Sequence, residues 1–294
     1  PFTFLDHAFK CGDSLLGVTS LDQLENFSLR PGGSKQQAFA TPDLRRNIEE
    51  AKKKREALGA MPSDTPEQIV AKAALYAEAE AAVAKLNAAA DVLVAVELKG
   101  LKGSAYETER EVSADHIMAY SAKGLPELQA HAQQRLTGHH CLHWALAFPE
   151  IIGSGGFDAF VGNPPYMGGQ KISGNLGSDY REFLVSVLAG GKKGSADLCS
   201  YFILRYIDLL QMFGCLGLVT TTAISEGDSR EVGLEQVLTK GATIFSCGES
   251  NLWSGNAGVV VTTIHLTRGH WKSDKFLKGV QVQDITAYLK DKVE

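Results

Sequence analysis

The sequence predicts an α/β fold with a helical hairpin inserted into it, and three observations carry that prediction. Residues 157–161 form a short apolar run that reads as a buried strand. Pro164 and Pro165 stop it, because neither can donate to a sheet ladder. Further apolar runs at 217–221, 242–247 and 259–267 alternate with amphipathic stretches at 197–210 and 225–238, the pattern of strands and helices sharing one sheet. Between residues 41 and 94, two helical patterns follow one another across a short break.

Taken in order, residues 2–16 open with an apolar, strand-like run and pass into Lys10-Cys11-Gly12-Asp13-Ser14-Leu15-Leu16. Asp after Gly is a common turn residue, and an acid just past a strand can also accept from a ligand amine. Residues 28–40 are rich in Gly, Ser and Gln and read as a loop. Thr41-Pro42-Asp43 gives the start signals of a helix, with Leu44, Ile48, Ala51, Arg55 and Leu58 at helical spacing. Thr65-Pro66-Glu67-Gln68 starts a second helix, with Gln68 placed for a capping box. The basic cluster Arg45-Arg46 and Lys52-Lys53-Lys54-Arg55 reads as a solvated helix face balanced by Glu49 and Glu50, ahead of a DNA-backbone contact. Residues 114–122 and 125–136 predict further helices, so residues 20–137 read as a helical insertion.

His139, His140 and His143 bring only Cys141 as a nearby ligand type, so no metal site is expected there. Residues 167–177 read as a Gly-rich polar loop, either a cover for a ligand or a plain mobile loop, and 179–188 as a helix. Trp253 sits in a Ser/Gly/Asn-rich loop, which is hard to explain as core. Residues 271–294 mix charge with short apolar runs and read as a further region or a C-terminal extension.

The stretch with chemistry is Asn163-Pro164-Pro165-Tyr166. It stands at the carboxyl end of a predicted strand, where ligands bind in open α/β sheets. Asn163 offers a side-chain carbonyl, and Pro164 a backbone carbonyl with no competing N–H. Tyr166 offers a flat face for a base. Two acceptors that take both hydrogens of an aromatic amine free its lone pair for attack on a methyl donor.

Bulk composition sets outer limits. At 44% hydrophobic and 21% charged, the 294 residues suit a globular protein with a full core. No apolar run approaches the length of a membrane span, and none reads as a secretory signal. Five scattered cysteines without a CxxC pair argue against a zinc site or disulfide scaffold and fit a reducing cytoplasm. A net charge of −5 is acidic for a DNA-binding domain, so much of any phosphate contact is expected elsewhere.

Gly162-Asn163-Pro164-Pro165-Tyr166 resembles the catalytic motif of the N6-adenine DNA methyltransferases. His143-Trp144-Ala145-Leu146-Ala147-Phe148-Pro149-Glu150 ahead of Gly156-Phe157-Asp158 is similar to the large type IIG restriction-modification and BREX and DISARM phage-defence enzymes. The resemblance runs over Lys10 to Leu16 and about Cys141 to Arg268. It implies a partial Rossmann-like sheet that binds S-adenosyl-L-methionine and methylates a flipped adenine in double-stranded DNA. Other subunits of a restriction or phage-defence system are further implied partners.

By the same resemblance, Asn163, Pro164, Pro165 and Tyr166 are catalytic, and Tyr166 and Trp253 stack on the target base. Asp13, Ser14, Asn163 and Phe202 bind the cofactor, although Phe202 reads equally well as core. The implied division is 1–19 and 138–270 as methyltransferase core, 20–137 as insertion and 271–294 as the trailing region. The Gly-rich cofactor loop and the ribose-binding acid are expected before Asp13, where only twelve residues stand, so the chain reads as the later part of a methyltransferase domain. Alternatives are a glutamine-side-chain protein methyltransferase, cytosine-N4 methylation, and a non-catalytic DNA-binding or assembly part of a defence complex.

Overall fold

The computed structural model describes residues 4–30, 41–253 and 258–292. The chain divides into two compact units, residues 1–154 and 155–294.

The first unit is helical among the described residues: α1 (Leu21–Glu25), α2 (Thr41–Ala60), α3 (Pro66–Leu98), α4 (Gly103–Lys123), α5 (Leu125–Arg135), α6 (Trp144–Ala147) and α7 (Pro149–Gly153). The expected hairpin is α2 against α3. Thr65 caps α3 as its sequence signals, accepting from the Gln68 amide at 3.3 Å while the Gln68 side chain accepts from the Thr65 amide at 3.2 Å. The apolar stripe of α2 is inside, with Leu44, Ile48, Ala51 and Leu58 buried. The last turns of α3, from Ala88 to Val96, are buried almost all round except at Asp91, so this end of the helix is core rather than surface. The strand expected over 2–16 does not form among the described residues. Residues 6–8 make a turn, and among the described residues of this stretch the strand-like pairing is a bridge between Asp13 and Cys141. An apolar run without a neighbouring ladder has nowhere to place its amides, and here it turns instead.

The basic cluster separates by environment. Arg45 pairs with Glu25, Arg46 with Asp43, and Lys54 with Glu50 and Glu78, with Arg45 and Arg46 exposed and Lys54 half-buried. Arg55, expected on the same solvated face, is buried instead. Its guanidinium holds Glu150 at 2.7 and 2.9 Å and donates to the His7 carbonyl at 3.2 Å.

The second unit is α/β, as expected. A mixed sheet has the order β1-β2-β5-β3-β6-β7, with β4 paired to β5. The strands are β1 (Phe157–Gly162), β2 (Leu210–Thr221), β3 (Thr243–Cys247), β4 (Asn251–Leu252), β5 (Val260–Thr267), β6 (Lys275–Leu277) and β7 (Val280–Val282). β1 runs parallel to β2, β5 enters antiparallel between β2 and β3, and β6 is parallel to β3. Residues 271–294 thus add two strands to the same sheet. The helices are α8 (Gly169–Leu176), α9 (Ser178–Phe183) running into a π-helical turn (Leu184–Leu188), α10 (Leu198–Leu209), α11 (Gly227–Val232) and α12 (Leu234–Thr239). α8 replaces most of the loop expected at 167–177, with Ile172 as its buried anchor.

β1 exists as expected, but it is not a buried strand. It pairs only with β2 among the described strands, and Val161 is 91% exposed. Phe160 packs on Tyr206 of α10, while Ala159 and Val161 line an apolar trough with Gly217, Phe245 and His265. One covered face is enough to give β1 its apolar sequence.

Candidate active site

Residues 163–168 follow β1 directly, before α8 begins. Because β1 and β2 are parallel, the turn shares an edge of the sheet with the carboxyl end of β2. Asn163 is exposed, Pro164 buried and Tyr166 half-buried. The Tyr166 hydroxyl donates to Asn163 Oδ1 and also lies 3.3 Å from the Val219 carbonyl of β2. Burial pushes the Tyr166 hydroxyl pKa up, and Cys199 and Asp197 add to the shift, so the group stays a neutral donor. The turn is tied at its far end, where Leu198 N–H donates to the Met167 carbonyl at 2.9 Å. Asp197 caps α10 there, accepting from Cys199 N–H at 3.0 Å.

Trp253 comes to the same edge. It follows β4, whose residues pair with Val260 and Val261 at the start of β5, opposite the carboxyl end of β2. Trp253 is 39% exposed and its backbone N–H donates to the Val259 carbonyl at 2.8 Å. Most of the Ser/Gly/Asn loop beyond it, residues 254–257, lies outside the described residues. Phe202 sits in α10 at 8% exposure and tilts against Tyr206, which stacks on Phe160 at 4.6 Å. Only the margin of its ring is open to a ligand.

Asp13 and Ser14 belong to the first unit. Asp13 Oδ1 accepts from the amides of Leu15 and Leu16 at 2.8 and 3.3 Å, so its carboxylate is oriented by its own loop. The Ser14 carbonyl accepts from Trp144 Nε1 at 3.0 Å. A carboxylate held in this way is an acceptor suited to the amine of an adenine ring. The glycines at 153–156 are no substitute for a cofactor loop. A Cβ on Gly156 would fall 2.4 Å from the Leu209 carbonyl, so that turn is packed against backbone.

Sequence reasoning left His143 without a role and missed Asp91. The two meet at 3.0 Å, His143 Nε2 to Asp91 Oδ1. Nothing local in the sequence marks Asp91, which lies mid-helix, 52 residues from its partner. With Cys141 they form a group whose potential ligand atoms lie within 4.8 Å of one another. The imidazole is nevertheless committed. Its Nδ1 accepts from Val18 N–H at 3.3 Å, which leaves the ring proton on Nε2, facing Asp91. Burial, with Asp91 and Asp13 nearby, pushes the Cys141 thiol far above its ordinary range. Both ring nitrogens of His143 are thus engaged by hydrogen-bond partners, Val18 and Asp91.

Residues 69–243 match the family model of the Eco57I restriction-modification methylases. The chain belongs to this family. Asn163, Pro164, Pro165, Tyr166 and Phe202 fall within the matched region, while Asp13, Ser14 and Trp253 lie outside it. The match also takes in α4, α5 and most of α3, which the sequence resemblance did not reach. No curated protein matches the sequence. Among solved structures, the chain is similar to the type IIL restriction-modification enzyme MmeI in complex with DNA. That likeness is 15% identity over 72% of this chain and 34% of MmeI, with a TM-score of 0.40. The M protein of the type I restriction enzyme EcoKI is similar at 12% identity over 76% of this chain and 55% of its own, TM-score 0.26. A Listeria monocytogenes protein assigned provisionally to the class I S-adenosylmethionine-dependent methyltransferases shows 9% identity over 80% of this chain and 90% of its own, TM-score 0.32. Membership of the family rests on the sequence match.

Proposed function

We propose that this Eco57I-family chain carries the target-base site of a DNA methyltransferase, acting on the N6 amine of adenine in double-stranded DNA. The observation that carries the reading is the Asn163–Tyr166 turn at the exposed carboxyl edge of β1, with Trp253 at the same edge.

The lone pair of an aromatic amine is delocalised into its ring. Asn163 Oδ1 and the Pro164 carbonyl are the two acceptors that would take the amine hydrogens and pull the nitrogen towards tetrahedral geometry. The base must first leave the duplex stack, at a cost of about a few kcal/mol. Stacking on an aromatic side chain returns ~1–3 kcal/mol per base. Tyr166 and Trp253 on opposite faces of the base would offset most of that cost. S-adenosylmethionine supplies an electrophilic methyl group when bound. Asp13 and Ser14 are the residues that would hold its adenine, and Phe202 is a further candidate for cofactor contact. No side chain need act as a base beforehand, because the amine proton becomes acidic only once the nitrogen is methylated and then passes to water.

The family supports a restriction-modification setting, and we extend this to phage defence with other subunits as partners. The test uses the full protein, labelled S-adenosylmethionine and a DNA duplex. Asn163→Ala should lower methylation by ~10²–10³-fold, the loss expected for an acceptor used in the transition state. DNA affinity should be unchanged. Methylation by Asn163→Ala that stays near the wild-type rate removes the turn from catalysis.

A further inference from the structure

The loop carrying Asp13 has no regular secondary structure, yet its interior is buried: Leu15, Leu16 and Val18 are 0% exposed. It is stitched to residues 140–145 along its whole length. Asp13 N–H donates to the His140 carbonyl at 2.7 Å. Leu142 N–H is shared by the Asp13 and Leu16 carbonyls at 3.2 and 3.1 Å. Ala145 N–H reaches the Val18 carbonyl at 3.4 Å. The approach is so close at Gly17 that a Cβ there would fall 2.2 Å from the Leu142 carbonyl.

Val18 N–H has no backbone acceptor in this pattern. It donates to the ring of His143, which is 5% exposed. The other ring nitrogen donates its N–H to Asp91 Oδ1, and Asp91 belongs to α3. The same helix holds the other end of the loop, where Lys10 Nζ donates to the Tyr76 hydroxyl and to Glu80, each at 2.8 Å. α3 therefore braces the Asp13 loop from both sides, at Lys10 directly and at Val18 through His143.

We infer that His143 is a positioning residue for the cofactor loop: a neutral imidazole that pins Val18 to Asp91 and so transmits the placement of α3 to the Asp13 carboxylate. The inference rests on the reading of Asp13 as an acceptor for the adenine of S-adenosylmethionine. It gives a task to the His-Trp pair ahead of the catalytic strand, since Trp144 holds the Ser14 carbonyl of the same loop. It also makes α3 part of the cofactor machinery rather than an appendage.

The experiment compares His143→Ala, His143→Asn and His143→Gln in the full protein. An Asn amide oxygen stands near the Nδ1 position and can accept from Val18, whereas a Gln amide reaches the Nε2 position and meets Asp91 only. Calorimetric titration with S-adenosylmethionine, methylation kinetics and thermal unfolding are read on each. His143→Ala and His143→Gln should weaken cofactor affinity by about tenfold, the scale of one buried amide losing its acceptor. Turnover at saturating cofactor should stay within about twofold of wild type, because nothing at Asn163 changes. His143→Asn should recover most of the affinity. If His143→Ala does not fold, His143→Asn against His143→Gln at matched unfolding temperature decides. Equal affinity across the variants, or a loss confined to turnover, overturns the positioning role. Wild-type protein that binds no S-adenosylmethionine overturns the cofactor reading itself, and with it the inference.

Discussion

The hydroxyl of Tyr166 donates a hydrogen bond to Asn163 Oδ1, the acceptor that the proposed reaction needs for the substrate amine. A phenol has one proton to give, and the Val219 carbonyl at 3.3 Å is a second place to put it. Entry of a base therefore asks Tyr166 to turn its hydroxyl from Asn163 to Val219. Tyr166→Phe removes the competition while keeping the stacking face, so kcat/KM for DNA should stay within about threefold of wild type, the scale of a net hydrogen bond. Tyr166→Ala loses the face itself and should cost ~1–3 kcal/mol, about 5- to 150-fold in kcat/KM. Equal losses in the two variants would contradict a stacking role.

Trp253 is exposed at the edge that carries Asn163, and its backbone N–H donates to the Val259 carbonyl. Trp253→Ala should leave the unfolding temperature unchanged and weaken binding of a duplex with an extruded base. The measurement is fluorescence of 2-aminopurine at the target position. Wild type should brighten the probe on binding, and Trp253→Ala should need roughly tenfold more protein for the same signal. An unaltered titration would remove Trp253 from the base site.

Arg55 and Glu150 form a bidentate pair in which the Arg55 side chain is 3% exposed. Removing one member of a buried pair costs about 3–5 kcal/mol. Arg55→Ala should therefore lower stability by about 3 kcal/mol in denaturant unfolding, at the mild end because Glu150 is 22% exposed. Arg46→Ala, with a side chain 73% exposed, should change it by less than ~0.5 kcal/mol. A DNA-contact role for Arg55 would be indicated instead by unchanged stability with weaker DNA binding.

Burial holds the pKa of His131 and of His265 below the ordinary 6.5, with Arg135 and His116 adding to the effect at His131. A histidine kept neutral in the fold stabilises above its unfolded pKa, and that stability is lost as pH falls through 6.5 towards the folded value. The unfolding temperature should therefore fall between pH 7 and pH 5. His131→Phe, which keeps the stacking on Tyr120 at 4.4 Å, should flatten the slope. A rise in stability over that interval would contradict these assignments.

The α/β class and the α2–α3 hairpin were legible because their signals are local: strand-ending prolines, a capping box at Thr65 and Gln68, and a periodic apolar face. The site was legible only as a turn. That Val219 offers Tyr166 a second carbonyl depends on strand register that no single segment encodes. Arg55 looked solvated because charge on a helix usually is, and its partner Glu150 stands 95 residues away. The stretch at 2–16 looked like a strand because apolar residues say what is buried, not what pairs. His143 stayed without a role for the same reason, since both of its partners, Val18 and Asp91, come from elsewhere in the chain.

The most direct measurement is mass spectrometry of nucleosides from DNA of cells expressing the full protein, in wild-type and Asn163→Ala forms. The account predicts N6-methyladenine with the wild type and none above background with Asn163→Ala. N6-methyladenine that persists with Asn163→Ala, or methyl groups found only on the N4 amine of cytosine, would contradict it.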